Sequence, residues 1–75
     1  MNKSYQEKYK GERLFNKFDG LGELELDDGS VYKGTFLKGN FHGEGVLLFQ
    51  DGSRLEGSWD HGKLVKKQYF FKDDL

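Results

Sequence analysis

The chain has 75 residues, a net charge of −1, 11 glycines and neither proline nor cysteine. That length holds one small domain, the missing thiols exclude disulfides, and the near-neutral charge leaves no field to gather nucleic acid. The longest apolar run, Val46-Leu47-Leu48-Phe49, is far too short for a membrane-spanning helix, and the first twelve residues lack the apolar core of a secretory signal, so a cytoplasmic setting is expected.

Glycine sets the order of the elements. The glycines at 11, 20, 22, 29, 34, 39, 43, 45, 52, 57 and 62 occupy five phases of a 23-residue period, and residues 9–31 match 32–54 at 11 of 23 positions. A fixed period of this size marks a repeat array. Residues 1–8 form an N-terminal tail, a short helix or a frayed end, and the repeat domain covers 9–75 with units near 9–31, 32–54 and 55–75. Alternating runs predict strands near 9–15, 20–26, 31–37, 43–49, 54–59 and 64–71. Asp28-Gly29 and Asp51-Gly52 mark hairpin turns because such turns need positive φ. Leu37-Lys38-Gly39-Asn40 and Asp60-His61-Gly62-Lys63 mark the intervening ones. The third unit loses the glycine pair, with Lys66 and Gln68 at the phases of Gly43 and Gly45. The expected fold is all-β, a single-layer antiparallel hairpin meander of about three repeats.

Period-two alternation places Tyr9, Phe15, Leu24, Leu26, Tyr32, Phe36, Leu47, Phe49, Leu55 and Trp59 on one face, with Gly11, Gly22, Gly34, Gly45 and Gly57 among them. A glycine beside a ring leaves room for that ring to lie on the backbone. The other face is polar, carrying Lys10, Glu23, Lys33, Glu44, Glu56 and Ser58, until a small apolar set, Val46, Leu48, Tyr69 and Phe71, near the last strand.

Residues 32–53 resemble the MORN (membrane occupation and recognition nexus) repeat. Tyr32, Gly34, Phe36, Gly39, His42, Gly43, Gly45, Asp51 and Gly52 fill its pattern in order. The first unit fills Tyr9, Gly11, Gly20, Gly22, Asp28 and Gly29 but has Arg13, Asn16 and Asp19 at the aromatic, glycine and histidine places. The third fills Gly57, Trp59 and Gly62 and then departs. The chain is most similar to short MORN proteins of cilia and flagella. That resemblance implies a non-catalytic scaffold in a cytoskeletal or axonemal assembly.

A sheet's apolar face must be buried against something, and no helix here is long enough to cover it. The expected partner is therefore a protein, an apolar helix or extended segment laid on Tyr9, Tyr32, Phe36, Phe49, Leu55 and Trp59. The alternative is a phosphoinositide or membrane-surface adaptor, suggested by the lysines of residues 63–72, which equally read as protection of an edge strand. No catalytic residue, cofactor or metal is expected. Ser30, Ser53 and Ser58 have no base beside them, the glycine pairs open no helix, and two histidines are too few for zinc without carboxylates. His42 is expected to stabilise a turn through a hydrogen bond.

Overall fold

The computed structural model describes residues 8–71. Residues 1–7 of the expected tail and 72–75 of the third unit lie outside the described residues. Six strands follow one another: β1 (Tyr9–Leu14), β2 (Lys17–Glu25), β3 (Val31–Leu37), β4 (Asn40–Leu48), β5 (Arg54–Asp60) and β6 (Lys63–Phe70). They form one sheet in sequence order, every pair antiparallel. The molecule measures 44 × 28 × 16 Å, a single layer with its side chains.

Tight two-residue turns at 15–16, 38–39 and 61–62 close one end of the sheet, and loops around Asp28-Gly29 and Asp51-Gly52 close the other. Phe15 and Asn16 have φ of 51° and 65°, Lys38 and Gly39 52° and 91°, and His61 and Gly62 50° and 90°. Two successive positive φ values match the right-handed strand twist, which is why such turns dominate hairpins. Because these turns need only two residues, β2 and β4 begin three residues earlier than the alternation suggested. Phe15 is a correction too: it sits in the first turn, 88% exposed, and takes no part in the aromatic face.

The glycines line up across the sheet. Gly11 pairs with Gly22, Gly22 with Gly34, Gly34 with Gly45, and Gly45 with Gly57. On β6 the row ends at Lys67, the partner of Gly57.

Each hairpin carries one irregularity beside this row. In the first two, a single residue (Glu12 or Thr35) stands opposite three, so the register changes by two and the faces are kept. In the third, Trp59 pairs with Leu64 but Ser58 pairs with Lys66, a slip of one. A one-residue slip exchanges the faces of everything beyond it. Tyr69 therefore lies opposite Leu55 on the aromatic face, and Phe71 packs against it, ring centroids 4.7 Å apart. This corrects the expected polar-side placement of both. Phe70, opposite Arg54, joins Val46 and Leu48 on that side instead, with the Arg54 guanidinium 4.1 Å from its ring centroid. Lys67, rather than Gln68, is thus the structural counterpart of Gly45.

Candidate functional site

The aromatic face is a ladder of interlocked rings. Tyr9 stacks on Phe18 with centroids 3.8 Å apart, and Phe36 stands edge-on to both. One unit later Tyr32 stacks on Phe41 at 3.9 Å, and Trp59 stands edge-on to both. Such offset and edge-to-face pairs add about 0.5–1.5 kcal/mol each beyond burial. Phe36 also meets Tyr32 edge-on at 5.1 Å, so the two sets form one cluster. At the position of Phe36 and Trp59 in the first unit, the Arg13 guanidinium lies 5.2 Å from the Tyr9 centroid and 5.1 Å from that of Phe18. A cation over a ring face replaces the missing aromatic residue.

The tyrosine rings rest on the glycine row. A Cβ on Gly22 would stand 2.6 Å from ring carbons of Tyr9, and one on Gly45 2.5 Å from those of Tyr32. Each hydroxyl donates to a backbone carbonyl three residues on: Tyr9 to Glu12 at 2.6 Å, Tyr32 to Thr35 at 3.0 Å. Burial raises both phenols above their ordinary value. In the third unit Leu55 replaces the tyrosine, so no ring needs a glycine on β6.

Of the six residues expected to hold a partner, Tyr9, Tyr32, Phe36 and Trp59 are buried by one another. They make the core of the single sheet, which needs no second layer over them. Phe49 and Leu55 remain half-exposed. Beside Phe49, at 6.0 Å, lies Tyr69, 42% exposed, and beside it Phe71, 77% exposed. The ladder thus opens at the β5–β6 end into a reachable aromatic ledge. Sequence alternation missed this ledge because the register slip creates it. The lysines of β6 gather no single basic face, since alternation sends Lys66 and Lys67 to opposite sides. Lys72 lies outside the described residues.

The candidate serines have structural partners. Ser30 Oγ donates to Asp28 Oδ1 at 2.6 Å and Ser53 Oγ to Asp51 Oδ1 at 2.5 Å. The backbone amides of both serines bond the same carboxylate oxygens, at 2.9 and 2.8 Å. The Ser30 hydroxyl, followed by its amide, holds Asp28 below the usual carboxylate range. A depressed folded-state pKa gives stability that is complete above the unfolded value and lost as pH falls through the folded one. The melting temperature should therefore fall as pH drops below about 4. Thermal melts at pH 7 and pH 3 should show a smaller loss for Asp28→Asn than for the parent chain.

Repeats are also joined to one another. His42 Nδ1 accepts the backbone N–H of His61 at 3.0 Å, the turn-stabilising bond expected of it. Asp19, its counterpart one unit earlier, accepts the N–H of Lys38 through Oδ2 at 3.2 Å. The next amide of each turn donates to the preceding unit, Gly39 to Phe18 O at 2.9 Å and Gly62 to Phe41 O at 2.8 Å. At the opposite end the Gln50 amide donates to Asp28 O. Imidazole and carboxylate thus perform one task, seating the next turn. His42→Ala should destabilise by about 0.5–1.5 kcal/mol in chemical denaturation, and His42→Asp should restore most of that loss.

A family model for the MORN repeat matches residues 9–31 and 32–54. The chain belongs to the MORN-repeat family. No individual curated protein matches it. The MORN tyrosine is the ring on the glycine row, the MORN aromatic position is its edge-on neighbour, and the MORN histidine seats the next hairpin. MORN repeats are non-enzymatic binding and adaptor modules, and the six-stranded meander is that module built from consecutive hairpins.

Proposed function

We propose that this MORN chain is a non-catalytic protein–protein scaffold, a structural subunit of a cytoskeletal or ciliary assembly in the cytoplasm. It docks an apolar helix or extended segment of a partner where the aromatic face opens. The observation that carries this reading is the ledge of Phe49, Tyr69 and Phe71, continuous with the buried ladder through Leu55. Tyr9, Tyr32, Phe36 and Trp59 serve as its rigid floor, and Phe49 and Leu55 are the members of the aromatic face that a partner touches. Rigid aromatic side chains on a preorganised sheet are the usual anchors of an interface.

The test uses a photo-crosslinking side chain at Phe71, with a matched probe at Lys33 on the opposite face, in ciliated cells. Crosslinks from position 71 to an axonemal or cytoskeletal protein, lost in Tyr69→Ser, support the reading. Loss of partner capture by Lys33→Ser with Glu56→Ser, and not by Tyr69→Ser with Phe71→Ser, would place the docking surface on the wrong side of the sheet. Co-sedimentation with phosphoinositide vesicles in place of any protein crosslink would replace it with a membrane-surface adaptor.

A further inference from the structure

We propose that His42, Asp60 and His61 form a binding site for a divalent transition cation, zinc foremost, at the tight-turn end of the sheet. His42 lies on β4, Asp60 ends β5, and His61 is the first residue of the turn into β6. The pairing of Gly43 with Trp59 sets His42 beside Asp60 across the strands. These are the only two histidines among 75 residues, and the fold brings them from 19 positions apart to ring centroids 4.7 Å from one another. One ligand atom from each of the three residues lies within 4.8 Å of the others.

The distances suit a small cation. His61 Nδ1 is 2.7 Å from Asp60 Oδ1, and His42 Nδ1 is 3.9 Å from the same oxygen. Donor atoms about 2.0–2.1 Å from a tetrahedral zinc are separated by roughly 3.3–3.5 Å. The two distances to Asp60 Oδ1 fall on either side of that value, within the reach of small side-chain rotations. Two imidazoles and one carboxylate select zinc, nickel or copper over calcium and magnesium. Three protein ligands leave a fourth position to water or to a donor from another molecule. The equivalent junction one unit earlier has Asp19 and Lys38 in place of the imidazoles and offers no such set.

Coordination competes with the seating of the turn. An imidazole that accepts a hydrogen bond at Nδ1 carries its proton on Nε2. A metal at Nδ1 displaces the His61 N–H, and a metal at Nε2 requires the proton to move to Nδ1, which then cannot accept. The cation therefore exchanges a hydrogen bond between hairpins for coordinate bonds between them. This competition weakens the affinity below that of a structural zinc.

The experiment uses tag-free, chelator-stripped full chain titrated with zinc chloride, followed by calorimetry and NMR. One equivalent should bind with a Kd on the order of micromolar. Both imidazole signals and the His61 backbone amide should shift, and a chelator should reverse the change. His61→Asn, whose asparagine tolerates the positive φ, and Asp60→Asn should each weaken zinc binding by roughly tenfold or more. His42→Asp, which keeps a turn acceptor as Asp19 does, should weaken nickel binding by a similar factor, and magnesium should produce no shift. The absence of chelator-reversible shifts in the parent chain up to about 1 mM zinc, or binding unchanged by His61→Asn, would overturn the assignment.

Discussion

Tyr32→Ala should destabilise the chain by about 3–5 kcal/mol, the range for removing a buried aromatic side chain. Tyr32 is fully buried, the one large side chain among the described residues with no exposed surface. Its loss removes the stacking partner of Phe41 and an edge-on neighbour of both Phe36 and Trp59. It also leaves the Thr35 carbonyl without its phenol donor. A net loss of this size is comparable to the total stability expected of so small a domain, so the variant should show no cooperative melt above room temperature. Tyr32→Phe isolates the hydrogen bond and should cost about 0.5–1.5 kcal/mol. The same hydroxyl, like that of Tyr9, adds a pH dependence on the alkaline side. Its folded-state pKa is raised by burial, so its contribution is complete below the ordinary phenol value near 10. It is lost as pH rises through the folded value, and unfolding followed by absorbance at 295 nm should track that loss.

The second large effect is expected at the glycine row. Gly45→Val should destabilise by about 1–3 kcal/mol through overpacking. The added Cβ meets ring carbons of Tyr32 at 2.5 Å, and the ring is fixed between Phe41 and the backbone. The backbone at Gly45 is not left-handed, so no left-handed strain adds to the clash. Gly39→Ala separates the two causes. A Cβ there meets nothing within 4 Å, but φ is +91°, so only the left-handed strain of about 1–2 kcal/mol remains. In the double variant Tyr32→Leu with Gly45→Val, which puts at 32 the leucine that Leu55 supplies in the third unit and keeps a foldable background, the valine should add little further loss. A clash that needs a ring disappears with the ring, and a thermodynamic cycle reads that coupling directly.

Much of this architecture is legible in the glycine phase. The five phases mark a row, two turns and a bulge; the row and the bulge recur in the first two hairpins, while the tight-turn glycine is Gly39 and Gly62 in the second and third, with Asn16 at that place in the first. The face to which Tyr9, Tyr32, Phe36 and Trp59 belong follows from alternation alone. What those rings do on that face does not. Whether they await a partner or cover each other depends on Phe18 and Phe41, which lie before the strand starts expected near 20 and 43 and so receive no face, although β2 and β4 begin at Lys17 and Asn40. The third hairpin was opaque for a related reason. A single residue fewer in its bulge is invisible to a period count, yet it carries Tyr69 and Phe71 to the aromatic side. Arg13 shows the converse, since a departure from the repeat pattern is filled by a guanidinium over the same pair of rings.

The seating of each tight turn on the unit before it gives the molecule a time order. The acceptors, Phe18 O and Asp19 for one turn and Phe41 O and His42 for the next, always precede their donors in the chain. Every strand pairs only with its sequence neighbours, so contact order is low and closure is fast. As the chain emerges from a ribosome at about 5–20 residues per second, the first hairpin presents its docking groups before the second has been made, and the second does so for the third. The acceptors of each junction are thus synthesised before the donors that close on them.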